Sequence, residues 1–380
     1  MKSKNNKIIA LFLFILLTIL LTGMVYATTE DNTGETSGIT GWSDVSEQVN
    51  IDHQDTVINA EKNTIITDDN NHGGQDSKAK TIDKNTDTTA SKTVPANVTY
   101  SGEDTDSYDK VMELIERNDD AQELIIELNT DKVYVITDSI LYMVHHNTKT
   151  VTVIGNGAVL DAMGKESFIV VDKGYTLNLK NLTVRNTYGR MGPAINSMGI
   201  VNVEDCVFEN NIALYNGGAI ASFGPLTVNR TRFLDNRVTT STDAMSNDYG
   251  GGAIMACGLL VVDNCVFTGN LAAYDYNGTE NDSASGGAIS VYENADDVSI
   301  TNSNFTDNTA GLGGAIDIYD PQYQDEEVVL IDSNNFSKNC AYQGGAIALQ
   351  HSATVTNNNF TQNRLNESVN QIPYGAASEL

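Results

Sequence analysis

Several things are scarce in this 380-residue chain, and each scarcity removes a class of explanation. There are four cysteines, Cys206, Cys257, Cys265 and Cys340, too few to staple a chain of this length. None forms a CxxC pair, and none has a histidine at metal-ligand spacing. Basic side chains number 22 against 50 acidic ones, a net charge of −28. Such a chain is repelled by nucleic acid and by anionic lipid, so neither is expected as a partner. Proline is rare, at five residues, and no long helical pattern appears after residue 123. Only one apolar run approaches membrane-spanning length, and it is at the N-terminus.

That run has the anatomy of an export signal. Lys2, Lys4 and Lys7 precede an apolar stretch from Ile8 to Leu21, and Val25-Tyr26-Ala27 ends in a small residue suited to cleavage. Residues 1–27 are therefore expected to be a signal peptide; the alternative is an uncleaved N-terminal anchor. With cleavage, no membrane insertion of the remaining chain is expected. Residues 28–100 are Thr-, Asp-, Asn- and Ser-rich without apolar periodicity, which predicts a disordered polar stalk. Residues 101–123 hold a short helix, at about 107–118, with Ser107 as its cap and Val111, Met112, Leu114 and Ile115 as its apolar face. From 124 to 380 short apolar runs alternate with polar turn residues, the pattern of strands.

What the chain has in excess is repetition. The phrase Gly-Gly-Ala-Ile begins at Gly217, Gly251, Gly286, Gly313 and Gly344, and it alternates with Phe-x-x-Asn. The latter occurs at Phe208/Asn211, Phe233/Asn236, Phe267/Asn270, Phe305/Asn308, Phe336/Asn339 and Phe360/Asn363. Without the insertions the period is roughly 24 residues, which fits one turn of a three-sided strand coil whose stacking both pairs the strands and buries the core. Parallel crossovers are right-handed. The expected fold is all-β, a right-handed parallel β-helix with a short N-terminal capping helix. Stacking turns the six Phe into a column and the six Asn into a corner ladder, where the Asn would occupy left-handed backbone positions. Asn304, Asn335 and Asn359 form a further ladder, packed against its neighbours. All of these read as scaffold.

The alternation of Gly-Gly-Ala-Ile with Phe-x-x-Asn resembles the repeat of the chlamydial polymorphic outer-membrane proteins. With the Asn- and Thr-rich composition and the export signal, the chain is also similar to adhesin-like surface proteins of methanogenic archaea. The resemblance implies a cell-surface, adhesin-like role. The chlamydial proteins end in an autotransporter β-barrel, and no corresponding segment is apparent here.

Function would then sit where the period is broken. Insertions fall at 237–249 and 271–285, and again at 292–297 and 318–328. The second pair carries Glu293, Asp296, Asp297, Asp320, Asp325, Glu326 and Glu327 with Tyr292, Tyr319 and Tyr323. It reads either as a solvated acidic loop or as a weak Ca2+ or carbohydrate site; no other cofactor is expected. The expected partner is an extracellular glycan or a surface protein. No enzyme activity is expected, although this fold class also supports polysaccharide lyases and hydrolases. The carboxylates available to one are Asp161, Asp205, Asp235, Asp263 and Asp332, with Lys180, Arg185 and Arg230, and no paired-carboxylate phrase is evident. His145-His146 read as surface residues. Nine N-glycosylation sequons occur, of which Asn277 and Asn281 lie in a predicted loop. A last coil without an evident cap predicts either end-to-end self-association or a shortened member of a longer family.

Overall fold

The computed structural model describes residues 97–116, 121–137, 140–144, 147–240, 250–275, 284–292, 297–319, 328–350 and 352–366. The chain divides into two units, Met1–Asn85 and Thr86–Leu380, and all described residues belong to the second. The signal peptide and nearly all of the predicted stalk lie outside the described residues, as do His145, His146 and the segment 367–380.

The second unit is a parallel β-helix. Its strands form four sheets, here A to D, with ten, nine, eight and seven strands, and every strand pairing is parallel. Sheet A runs from Val98–Tyr100 to Thr354–Thr356, sheet B from Val133–Val135 to Asn359–Thr361, and sheet C from Leu141–Met143 to Ile347–Leu349. These three sides match the expected three-strand coil. Sheet D is the departure: it begins at Tyr188–Met191 and gives every later coil a fourth strand between sheets B and C. One such coil reads Ile200–Glu204, Val207–Glu209, Ile212–Asn216 and Ile220–Ser222. The residues between Asn211 and Gly217 are long enough to extend and pair with the coils above and below. Where no insertion intervenes the repeat is as short as the 24 residues from Leu177 to its partner Val201.

A second departure concerns the lead-in. Val98–Tyr100, read as the end of the stalk, is a strand paired with Leu124–Ile126. The helix α1 spans Tyr108–Glu116, and the Lys110 amide donates to Ser107 Oγ at 3.4 Å, so Ser107 is its cap. Tyr108, Val111, Leu114 and Ile115 are buried on the same core as the coils, and the helix lies against Leu141–Met143, the terminal strand of sheet C. It therefore covers apolar side chains that the first coil would otherwise leave bare.

The core is built column by column because period-2 strands stacked in register send the same position inward each time. Leu226 and Val228 stand in line with Leu260 and Val262, and Ile220 with Ile254, Ile289, Ile316 and Ile347. Each fully buried side chain of this size contributes about 1.5–3 kcal/mol of transfer free energy. The six Phe of sheet B stack with centroids 4.8–5.1 Å apart and planes within 9°. The Gly pair closes the corner between sheets D and C for two different reasons. The first glycine is left-handed, as at Gly286 with φ +60°, and a Cβ on the second, as at Gly287, would collide with the Gly314 carbonyl oxygen.

Candidate functional site

Locating a functional surface begins with removing what the scaffold consumes. Asn211, Asn236, Asn270, Asn308 and Asn339 are fully buried at the corner between sheets B and D. Each Oδ1 accepts two bonds from the preceding coil; Asn308 Oδ1, for example, takes Asn270 N at 3.0 Å and Asn270 Nδ2 at 2.9 Å. Each Nδ2 spends one hydrogen on the next Asn and the other on an inward residue's carbonyl one coil back, Val184 O for Asn211 and a Phe carbonyl for the rest, as Asn308 does with Asn339 Oδ1 and Phe267 O. Every hydrogen-bonding site of the amide is thus used, and the column ends on Asn363 and begins on Thr187. The left-handed residue is not the ladder Asn but the one before it: Asn210, Asp235, Gly269, Asp307, Lys338 and Gln362 have φ between 53° and 68°. That turn is what aims the following side chain inward.

The corner between sheets A and B repeats the device, and there the expected ladder is displaced. Asn304, Asn335 and Asn359 pair in register but point outward beside the inward Phe; Asn359 Nδ2 donates to Asn335 Oδ1 at 2.8 Å, forming one outward rung, and Asn304 and Asn359 are exposed. The inward column is one residue earlier: Cys206, Thr231, Cys265, Ser303 and Asn334, all buried, and the half-buried Asn358. Asn334 Nδ2 donates to Asn358 Oδ1 at 3.0 Å and to Ile300 O at 2.9 Å, the same arrangement as the first ladder. Cys206 and Cys265 occupy this column as free thiols, and burial pushes both up to about 12. Cys340 is also buried and free, and Cys257 is half-buried.

The outward carboxylates are held by donors on adjacent coils. Asp205 is paired with the Arg230 guanidinium, whose hydrogen bonds hold it below the usual carboxylate range. Burial works to raise Asp161, but bonds from Asn186, the Met163 amide and Arg185 outweigh it and leave it lowered. Asp263 is lowered by Asn302 and Thr301, and Asp332 by Thr356, Ser333 and Asn357. Asp263 and Asp332 are separated by Thr301 in the same register. Lys180 reaches Glu204 at 3.6 Å. Asp235 precedes Asn236 at a left-handed corner position.

The insertions leave the coil in two places. Arg237–Thr240 and Leu271–Asp275 are neighbouring strands of sheet D, and the chain returns at Gly250 and Ser285, which bridge one another. The other two insertions both lie between sheets C and A, after Ile289–Val291 and after Ile316–Ile318. Of the acidic residues expected there, Asp297 is described: its Oδ1 accepts from the Val328 amide at 3.0 Å, tying the second insertion to the first. Glu293, Asp296, Asp320, Asp325, Glu326 and Glu327 lie outside the described residues, as do Tyr323, Asn277 and Asn281.

Beside these exits is a polar cluster that reading the loops for function overlooked. Asp317 is 1% exposed, on the outward position of sheet C, in register with Ser290 before it and Ala348 after it. Ser285 Oγ stands 2.8 Å from Ser290 Oγ and 3.3 Å from Tyr292 Oη, and Ser285 also bonds the Asp317 carboxyl. A Cβ on Gly250 would meet all three hydroxyls within 2.5–2.7 Å, so the absence of a side chain there makes the room. Asp317 Oδ1 has no hydrogen-bond partner among the described residues. Desolvation by burial raises this carboxyl to about 7. The sequence carries one signal for it: the residue after Gly-Gly-Ala-Ile is Ala221, Met255, Ser290, Asp317 and Ala348, with one acid among them.

Residues 205–222 match the chlamydial polymorphic membrane protein repeat. The match spans the Phe208–Asn211 phrase and the first Gly-Gly-Ala-Ile, from one corner of sheet A to the strand of sheet C. No curated protein and no solved structure matches the chain. Among the described residues, no helix is long and apolar enough to cross a membrane.

Proposed function

We propose that the chain is an exported, cell-surface adhesin-like protein, its β-helix a rigid support that presents the insertions to an extracellular glycan or a protein on another surface. One observation carries the reading: the inward polar side chains of the coil corners are consumed by their own ladders, whereas the long insertions of the repeat series leave at two exits, each shared by consecutive coils. Segments that leave a rigid scaffold side by side are where recognition residues are free to vary. The repeat at 205–222 supports the surface location, since the proteins for which that repeat is described are membrane proteins of a cell surface. The N-terminal apolar segment supports export.

The reading is tested with the purified chain from residue 28 onward on immobilised glycans and on intact cells. Variants in which 241–249 with 276–283, or 292–297 with 319–327, are replaced by short Gly-Ser links should keep the far-ultraviolet spectrum of the parent and lose binding. Turnover of a uronate, neutral or amino-sugar polysaccharide by the parent chain would replace this reading with a carbohydrate-active enzyme. Retention of binding by both shortened variants would move recognition to the flat coil faces.

A further inference from the structure

We propose that Asp317, Ser285, Ser290 and Tyr292 form a binding site for a divalent hard cation of the calcium class on the outer face of sheet C. The argument starts from what the site lacks. A buried carboxylate is ordinarily matched by a cation or by several donors. Asp317 has one donor, Ser285, and its other oxygen is unpartnered although the residue is 1% exposed. Of the five other outward carboxylates considered above, four lie at exposed or half-exposed edges of sheets A and B, and the fifth, the buried Asp161, is bonded by Arg185, Asn186 and the Met163 amide. Neutral residues fill the equivalent position on the adjacent coils, so the fold does not need an acid there.

The remaining groups are oxygens. With Ser285 donating to Asp317, its two lone pairs can accept from Ser290 and Tyr292, at 2.8 and 3.3 Å. Rotating these hydroxyls turns lone pairs toward the Asp317 oxygen, and an all-oxygen set with one carboxylate suits a hard cation rather than a soft one. No three His, Cys, Asp or Glu side chains gather to hold a metal among the described residues, so the ion would keep several waters, and weak binding of extracellular type is expected, with Kd about 10⁻⁴–10⁻³ M. The ion would sit where Tyr292 opens one insertion and Asp317 precedes the other, and so would fix both exits. Tyr292 is the other titratable side chain of the described cluster. Because the carboxyl holds its proton up to about pH 7, each ion bound near or below that pH must release it.

Calorimetric titration of the chelator-treated chain with calcium chloride at pH 8 tests this. Saturable binding by about 10 mM is expected, with proton release when the titration is repeated at pH 6.5 in two buffers of different ionisation enthalpy. Asp317→Asn should weaken that site at least about tenfold, yet melt above the parent in chelator at pH 8, because it removes an unpaired buried charge. Ser290→Ala should weaken the site while keeping the proton release. Binding that Asp317→Asn leaves intact, or a melting temperature that responds to pH and not to calcium, would overturn the proposal; the latter would assign the carboxyl to a proton alone.

Discussion

The Asn ladder makes the sharpest quantitative claim, because two asparagines four residues apart in one repeat phrase should behave oppositely. Asn308→Ala removes an acceptor used by Asn270 N and Asn270 Nδ2, at 3.0 and 2.9 Å, and a donor used by Phe267 O and Asn339 Oδ1. Asn339 Oδ1 keeps the Asn308 backbone amide, at 3.0 Å, so the uncompensated loss is two buried donors. At about 1–3 kcal/mol for each unsatisfied group, the expected cost is about 2–6 kcal/mol. Asn304→Ala alters an exposed side chain of the same coil and should cost less than about 0.5 kcal/mol. Asn308→Asp separates hydrogen bonding from volume. Its carboxyl would face Phe267 O and Asn339 Oδ1 without hydrogens to offer, so its folded-state value must lie above the unfolded value of about 3.9. The penalty therefore grows as pH rises through that value, and the Asp variant approaches the Ala variant only in acid. Urea midpoints give the overall cost, and amide exchange of Asn236, Asn270 and Asn339 shows whether it is local, as a solenoid with nearest-neighbour coupling requires. Equal midpoint shifts for Asn304→Ala and Asn308→Ala would refute the assignment of the two columns.

Three further outcomes follow from the same geometry. Phe305→Ala opens a void between Phe267 and Phe336, which stack on it at 4.8 and 4.9 Å, and should cost about 3–5 kcal/mol; Phe223→Ala, at a 44% exposed ring, should cost under about 1 kcal/mol, and similar thermal shifts for both would contradict the column. Gly287→Ala would drive a methyl into the Gly314 carbonyl and should destabilise more than Ala at Gly164, which has open space around it but a left-handed φ of +76°; melts of the two variants decide. In the native chain at pH 8 an aromatic disulfide reagent should titrate at most Cys257 quickly, since Cys206, Cys265 and Cys340 are buried and the first two are pushed up to about 12. Rapid reaction of two or more thiols would mean that the coils open readily.

How much of this was legible in the sequence depends on whether a residue recurs. A column averages over its members, so five copies of Gly-Gly-Ala-Ile and six of Phe-x-x-Asn reveal the coil, the aromatic stack and the Asn211–Asn363 ladder without any three-dimensional information. The second ladder escaped because its members differ, from Cys265 through Ser303 to Asn358: what the corner selects is a short side chain with a polar atom able to reach the next backbone amide, and several residue types satisfy that. Its neighbours Asn304, Asn335 and Asn359 repeat more visibly yet point outward, because a strand alternates faces and the Phe beside them already takes the inward one. Sheet D was hidden for a related reason. Its strands, such as Thr309–Ala310 and Cys340–Ala341, are two residues long in the later coils and carry no alternation to read.

The functional surface obeys the opposite logic, since a group used once cannot announce itself by repetition. Asp317 is visible only as an exception, a single acid where the column otherwise holds Ala221, Met255, Ser290 and Ala348. Its meaning appears only when the register places Ser290 beside it and the fold brings Ser285 and Tyr292 to the same point. An unpartnered carboxyl there works against the fold at neutral pH. Its folded-state value, about 7, exceeds the unfolded one, so the native state is favoured in acid and loses that advantage as pH rises from about 4 to 7. Beside corner amides whose hydrogens are all used in the Asn211–Asn339 ladder, the uncompensated Asp317 oxygen is better explained by something it binds than by anything it supports.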